Sequence, residues 1–407
     1  MLGVVDYYGG VPDTTLCDVL RDRAARDTIR RIHLRSEDIV TLSSIISLLT
    51  GGGEGVQSNS VESFILSNYD DAPVDISNFF AHYRFPKLQR LKLDNCAITS
   101  WDLLTSRTTI LTSLTLHFSR PSPTPTTPQL FSILTSNPSL QEVSLSEDAV
   151  PTDSGGESPY HAPLHHLKEL GLDGDPRHVF RLINQLNHPT NTVVKFTLFD
   201  CTTADVLQIV GPYLRDYLRR RSRSRMELGL STSRLDDHTA TMLHISDVAG
   251  IDLSTPVLDQ IAPFVVIAMW SNQIPQDQLE KGVLDLVAYI PQDEVVSFHS
   301  WDEPAVMDHI SPRFPNLRAL HSGSIPITAV FSRSNLDKNG GISTSLRHLI
   351  LEQPILDHGD WLPLTYFVSH RSSSWNRLDS LTLKRPPLMR PQLEEYLRGM
   401  VREFRIT

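Results

Sequence analysis

Leu88-Gln-Arg-Leu91-Lys-Leu93-Asp-Asn-Cys96-Ala-Ile98 places apolar residues at offsets 0, 3, 5, 8 and 10. In an extended segment alternate side chains face opposite ways, so Leu91 and Leu93 share one face while Arg90, Lys92 and Asp94 share the other. A single such strip is found in many buried strands. It decides a fold only if it returns, and it does. Val193-x-x-Phe196-x-Leu198-x-x-Cys201 repeats the frame with its cysteine. The apolar part alone recurs from Ile29, Val61, Leu140, Leu167, Leu346 and Leu378, and more weakly from Leu111 and Leu317.

The second apolar position falls at Ile32, Phe64, Leu91, Leu114, Val143, Leu170 and Phe196, with steps of 32, 27, 23, 29, 27 and 26 residues. Near the end, Leu320, Leu349 and Leu381 are separated by 29 and 32. One strip cannot stay dry alone, so successive copies must stack. The spacing leaves room for a helix in each return. Phe79, Phe80 and Tyr83 recur at helical spacing, as do Leu130, Ile133 and Leu134 behind Pro128. His178 to Leu186, Asp205 to Leu218 and Pro391 to Phe404 also read as helices, the last with a stripe of Leu393, Tyr396, Leu397, Met400 and Val401. The pattern predicts an α/β leucine-rich-repeat solenoid, a horseshoe with parallel strands on one face and helices on the other. Residues 1–28 are expected to cap it, and 29–407 to form it.

Residues 225–310 break the frame. Leu243-His-Ile245 follows Met226-Glu-Leu228-Gly-Leu230 after only 15 residues, counted from Leu228 to Leu243. That is too short for a strand, a helix and two turns, so one of the pair is expected outside the main sheet. The region is expected to be degenerate repeats or an insertion. Gly51 to Ser60, Arg120 to Pro128 and Pro151 to Pro163 read as loops.

Composition narrows the function. The chain has 407 residues, is 40% hydrophobic and 21% charged, and carries a formal charge of -10. An acidic chain is a poor general nucleic-acid binder, because phosphate contacts need a basic face. Cys17, Cys96 and Cys201 are far apart, which argues for a reducing, cytoplasmic or nuclear location over a disulfide scaffold. MLGVVDYYGGVPD lacks a basic n-region and a long apolar h-region, so no signal peptide is expected, and no apolar run is long enough for a membrane span.

No catalytic motif is present. Gly51 to Gly55 is glycine-rich but lacks the Lys and Ser/Thr of a phosphate loop, and adjacent His165 and His166 would face opposite ways on a strand. Asp247, Asp252 and Asp259 have no cluster spacing. Arg219 to Arg225 fits a helix C-terminus, where cations suit the macrodipole. An import or anion-binding patch, or a phosphorylation switch at Ser222 and Ser224, are the other readings.

Phe85-Pro-Lys-Leu88, Asn137-Pro-Ser-Leu140 and Phe314-Pro-Asn-Leu317 resemble the strand entries of fungal F-box/leucine-rich-repeat proteins, and Ser345-Leu-Arg-His-Leu and Asn376-Arg-Leu-Asp-Ser-Leu have the same style. That resemblance implies substrate recognition for a cullin-RING ubiquitin ligase, with the repeats holding the target. An F-box is not recognisable before the first repeat, so docking to a Skp adaptor is expected only if an F-box exists upstream.

The expectation is a non-catalytic protein-binding module without cofactor or metal, with no nucleic-acid or membrane partner. Its binding surface is expected to be the strand face, through Arg31, His33, Arg35, Arg90, Lys92, Asp94, His117, Glu142, Glu169, Asp173, Lys195, Glu227, His299, His348, Glu352 and Lys384. Three other readings remain. One is a stand-alone repeat scaffold unrelated to ubiquitination. Another is a catalytic insertion at 225–310 using His238, His244, Asp247 and Asp252. The last is self-association.

Overall fold

The computed structural model describes all residues except 1–3, 10–13, 23, 25–27, 51–56, 59, 71, 109, 119–123, 153–159, 222–224, 236–237, 256–259, 272–275, 301–312, 324–330, 332–344, 356–360 and 374–375. The chain divides into two units, Met1–Phe196 and Thr197–Thr407, each mixed α/β with a mostly parallel sheet.

In the first unit the strands are β1 (Val4–Tyr8), β2 (Arg31–Ser36), β3 (Ser63–Asn68), β4 (Arg90–Asp94), β5 (Ser113–Phe118), β6 (Glu142–Glu147) and β7 (Glu169–Gly174). β8 (Val193–Phe199) follows and is crossed by the division. They lie side by side in chain order, and β1 to β7 pair in parallel. Ile32, Phe64, Leu91, Leu114, Val143 and Leu170 are direct partners from strand to strand, and so are Leu34, Leu66, Leu93, Leu116, Leu145 and Leu172. All twelve are buried. Burying a side chain of this size stabilises by about 1.5–3 kcal/mol, so these two lines fix the register. β1, within the expected cap, continues both lines with Val5 and Tyr7.

Helices Ile39–Thr50, Ser77–His82, Asp102–Arg107, Thr127–Ser136 and Pro176–Gln185 occupy the returns. Phe79 and Phe80 meet Phe64 and Phe85 with ring centroids 4.8–6.2 Å apart. Pro128 and Pro176 sit in first turns, and the Asp175 carboxylate accepts from the Arg177 N–H at 2.8 Å.

Two turns repeat. At the strand entries the N–H of Leu88, Leu140, Leu167 and Leu317 donates to the carbonyl three residues back, at Phe85, Asn137, Leu164 and Phe314. This is why Pro follows Phe or Asn: it stands at the second position of a β-turn, where its fixed φ suits. His165 and His166 are the exposed middle of such a turn. Two residues after Tyr7, Leu93, Leu198, Leu351 and Leu383, the later apolar residue of five strands, the backbone turns left-handed at Gly9, Asn95, Asp200, Gln353 and Arg385, with φ between 48° and 69°. Each of these five N–H groups then donates to a carbonyl of the neighbouring strand or chain end, at Arg35, His117, Trp270, Lys384 and Thr407, over 2.8–2.9 Å.

In the second unit the strands are β9 (Met226–Leu235), β10 (His238–Asp247), β11 (Val265–Ser271), β12 (Val295–Ser300), β13 (Ala319–Ser322), β14 (His348–Glu352), β15 (Ser380–Lys384) and β16 (Glu403–Ile406). Their order is β11-β10-β9-β12-β13-β14-β15-β16. Here one expectation is corrected. Both strands at 225–247 belong to the sheet, because β9 and β10 pair antiparallel, Leu228 with Ile245 and Leu230 with Leu243. A hairpin needs no crossover helix, so 15 residues suffice. β10 pairs antiparallel with β11, and β9 pairs parallel with β12. The expected helix to Phe404 stops at Met400, and Phe404 lies on β16, paired with Leu381. Of its expected stripe only Leu397 and Val401 are buried.

Candidate binding face

In the first unit the residues between the apolar positions form three rows across the sheet. One runs Arg31, Ser63, Arg90, Ser113, Glu142, Glu169. The next runs Asp6, His33, Ile65, Lys92, Thr115, Ser144, Gly171. The third runs Tyr8, Arg35, Ser67, Asp94, His117, Ser146. Nine of the expected residues therefore stand on one face, partly or fully exposed. Asp173 on β7 is half-buried and Lys195 on β8 is exposed, its Nζ 2.7 Å from Glu169.

Polar contacts cross the strands. His33 Nδ1 lies 2.9 Å from Asp6 and its Nε2 3.3 Å from Ser63 Oγ. His117 lies 4.0 Å from Asp94 and hydrogen-bonds Ser146. Burial raises the Asp94 carboxyl above its usual range, while His117, Lys92 and Arg35 pull the other way. At the C-terminal ends of β1, β2 and β3 an open cleft of about 580 Å³ is lined by Tyr8, Gly9, Arg35, Ser36, Glu37, Asp38 and Tyr69. The Arg35 guanidinium lies 5.4 Å from the Tyr8 ring centre, and Asp38 caps the following helix through the Val40 N–H.

The second unit treats the same face differently. Glu227 and His299 were expected to be exposed, and the structure buries them to 2% and 1% exposure. Ser297 Oγ donates to Glu227 at 2.7 Å. A row runs His244, Gly229, His299, His321, Ile350, Thr382, Arg405. The His299 and His321 rings stack with centroids 3.7 Å apart. Burial foremost, then the positive fields of His321, Lys384 and His244, push His299 down to about 2. Glu352 bridges His321 at 3.4 Å and Lys384 at 3.6 Å, and His348 Nδ1 is 2.9 Å from Ser380 Oγ. Part of the cover comes from the chain after β10. Val248 packs on Val296, the extra residue at a bulge in β12, with Ile251, Leu253 and Ile261 around them. Asp252 in this segment attracts His348.

Sequence reasoning missed His321, although the frame from Leu317 carries it, because that copy is weak. It placed His244 only among catalytic residues. Of those, Asp247 and Asp252 accept from the N–H groups of Ala249 and Ser254, which are turn contacts, and the His238 side chain lies outside the described residues. Asp259, Ser222 and Ser224 also lie outside them, as do most of the three expected loops. Arg219 and Arg220 are exposed at a helix end, and Arg221 covers the Phe264 ring at 3.8 Å. Among the described residues no group of three or more His, Cys, Asp or Glu is placed to hold a metal ion, and no helix is long and apolar enough to cross a membrane. Set against known proteins, the chain matches no family model, and no curated protein aligns with it.

Proposed function

We propose that the chain is a leucine-rich-repeat solenoid that holds a protein partner on its strand face, without catalysing a reaction. The observation that carries this reading is the unbroken register of Ile32, Phe64, Leu91, Leu114, Val143 and Leu170, which sends every intervening polar residue of the first unit to one side. The repeated left-handed turn supports the same repeat unit. Charges of both signs on that face suit a protein surface, whose specificity comes from complementary potential.

The test is quantitative affinity capture from the source cell with three forms of the full chain. Ile65→Glu with Thr115→Glu alters the half-buried strand face, and Val40→Glu with Asn78→Lys alters exposed helix positions. A partner retained by the helix variant and lost by the strand variant is the expected result. Loss with the helix variant alone overturns the reading. Skp adaptor and cullin among the retained proteins would assign the chain to ubiquitin-ligase substrate recognition.

A further inference from the structure

Resting on that reading, we propose that the first unit's strand face binds an extended acidic polypeptide segment laid along β3. The central strand offers a low floor of half-buried Ser63 and Ile65, with Ser67 closed off beyond them. β2 on one side carries Arg31, His33 and Arg35 in register with it, and β4 on the other carries Arg90, Lys92 and Asp94. The flanking strands are two strand spacings apart, about 9.6 Å, so long cationic side chains from both reach over the floor. Among the described residues Arg31, Arg35, Arg90 and Lys92 have no carboxylate within ion-pair distance, while Arg30 is paired with Glu62, His33 with Asp6 and His117 with Asp94. Arg35 and Lys92 share the half-buried Asp94 carboxylate, so four cations stand together around one acidic group on a chain whose formal charge is -10.

The spacing selects the shape of the ligand. Cationic positions on one strand recur every second residue, about 6.7 Å apart, which is also the repeat of same-side side chains in an extended peptide. A segment with Asp or Glu at alternate positions meets a cation at each step. The Glu37 and Asp38 carboxylates at the cleft beyond Arg35 end the run, since a further acidic residue would face like charge there. Exposed Arg219 and Arg220 at the end of the Gly211–Arg220 helix are a second attractor for such a ligand, and variants of Arg31 and Arg90 leave it unchanged and so tell the two apart.

The probe is a fluorescein-labelled, N-acetylated peptide of five Glu-Ser repeats, followed by fluorescence anisotropy on the full chain. Saturable binding is expected at low salt, weakening at about 0.3 M salt as screening shortens the reach of each charge. Arg31→Glu, Arg90→Glu and Lys92→Glu together should weaken it about tenfold or more. Arg31→Gln with Arg90→Gln, which keeps shape and removes charge, should give a smaller loss and covers the case in which the triple variant does not fold. Glu395→Gln, exposed on the Pro391–Met400 helix of the second unit, should leave affinity within about twofold. The proposal is overturned by absent or salt-insensitive binding, by unchanged affinity in folded Arg31 and Arg90 variants, or by tighter binding of a ten-residue oligothymidine. If the peptide fails while the Ile65 and Thr115 variant still loses its captured partner, the acidic ligand alone is wrong. If both fail, so does the partner-holding reading.

Discussion

Arg385 holds φ at 49°, a conformation that costs a non-glycine residue about 1–2 kcal/mol. It is kept there because its N–H is needed by the Thr407 carbonyl, 2.8 Å away. Its side chain is exposed, so glycine would relieve the strain without removing packing. Arg385→Gly should stabilise by about 0.5–1 kcal/mol after the added freedom of the unfolded chain, and Arg385→Val should destabilise by about 1–2 kcal/mol. The midpoint of urea unfolding checks both signs. The cysteines allow a second test at this scale. Cys96 and Cys201 occupy equivalent repeat positions and are buried, and burial raises the Cys96 thiol well above its usual range, whereas Cys17 is half-exposed. A thiol reagent should modify Cys17 alone in the native protein and all three after unfolding. Native labelling of Cys96 would count against its placement.

Among the elements, the helix after β8 carries the tightest constraint. Its π-helical turn Val206–Val210 is met by Tyr289, whose hydroxyl donates to the Leu207 carbonyl at 2.8 Å. A Cβ on Gly211 would fall 2.4 Å from that ring. Gly211→Ala should therefore lower stability by about 1–3 kcal/mol despite alanine's better helix propensity, through overpacking. Gly211→Ala combined with Tyr289→Ala should recover part of that loss, as a double-mutant cycle of unfolding free energies would show. No such contact is legible in sequence, because it joins residues 78 apart that no local pattern links. The strands are another matter. The L-x-L frame alone identified the partners Ile32, Phe64, Leu91, Leu114, Val143 and Leu170 in their correct register. It failed at 225–247 because it assumes that every strand runs the same way, and β10 does not.

At the scale of the molecule, the polar side of the sheet is open in the first unit and is buried around Glu227, Ser297, His299 and His321 in the second. Alternation gave both the same sequence signature, since a polar residue between leucines reads as exposed until another segment lies over it. The segment following β10 has no repeat frame to announce that role. The cover makes the second unit sensitive to acid. An unfolded imidazole titrates near about 6.5, while buried His299 sits at about 2. Between those values the unfolded chain binds a proton that the folded chain does not. Stability from this group is therefore complete above pH 6.5 and falls by about 1.4 kcal/mol per unit below it. His244 and His348 are lowered in the same direction. Going from pH 7.5 to 5 should cost about 2 kcal/mol through His299 alone. His299→Gln should flatten the dependence, and a wild-type stability unchanged over that range would contradict the burial.

The stacked His299 and His321 rings also carry an evolutionary consequence. Positions that stand open on the first unit's strand face are, around His299 and His321 in the second, packed by their own chain. Saturation mutagenesis scored on folded abundance should find Ser297, His299 and His321 as intolerant as the leucines beside them, while Arg31, Arg90 and Glu142 accept most substitutions. Substitutions can then accumulate on the first unit's strand face without eroding the packing of the second.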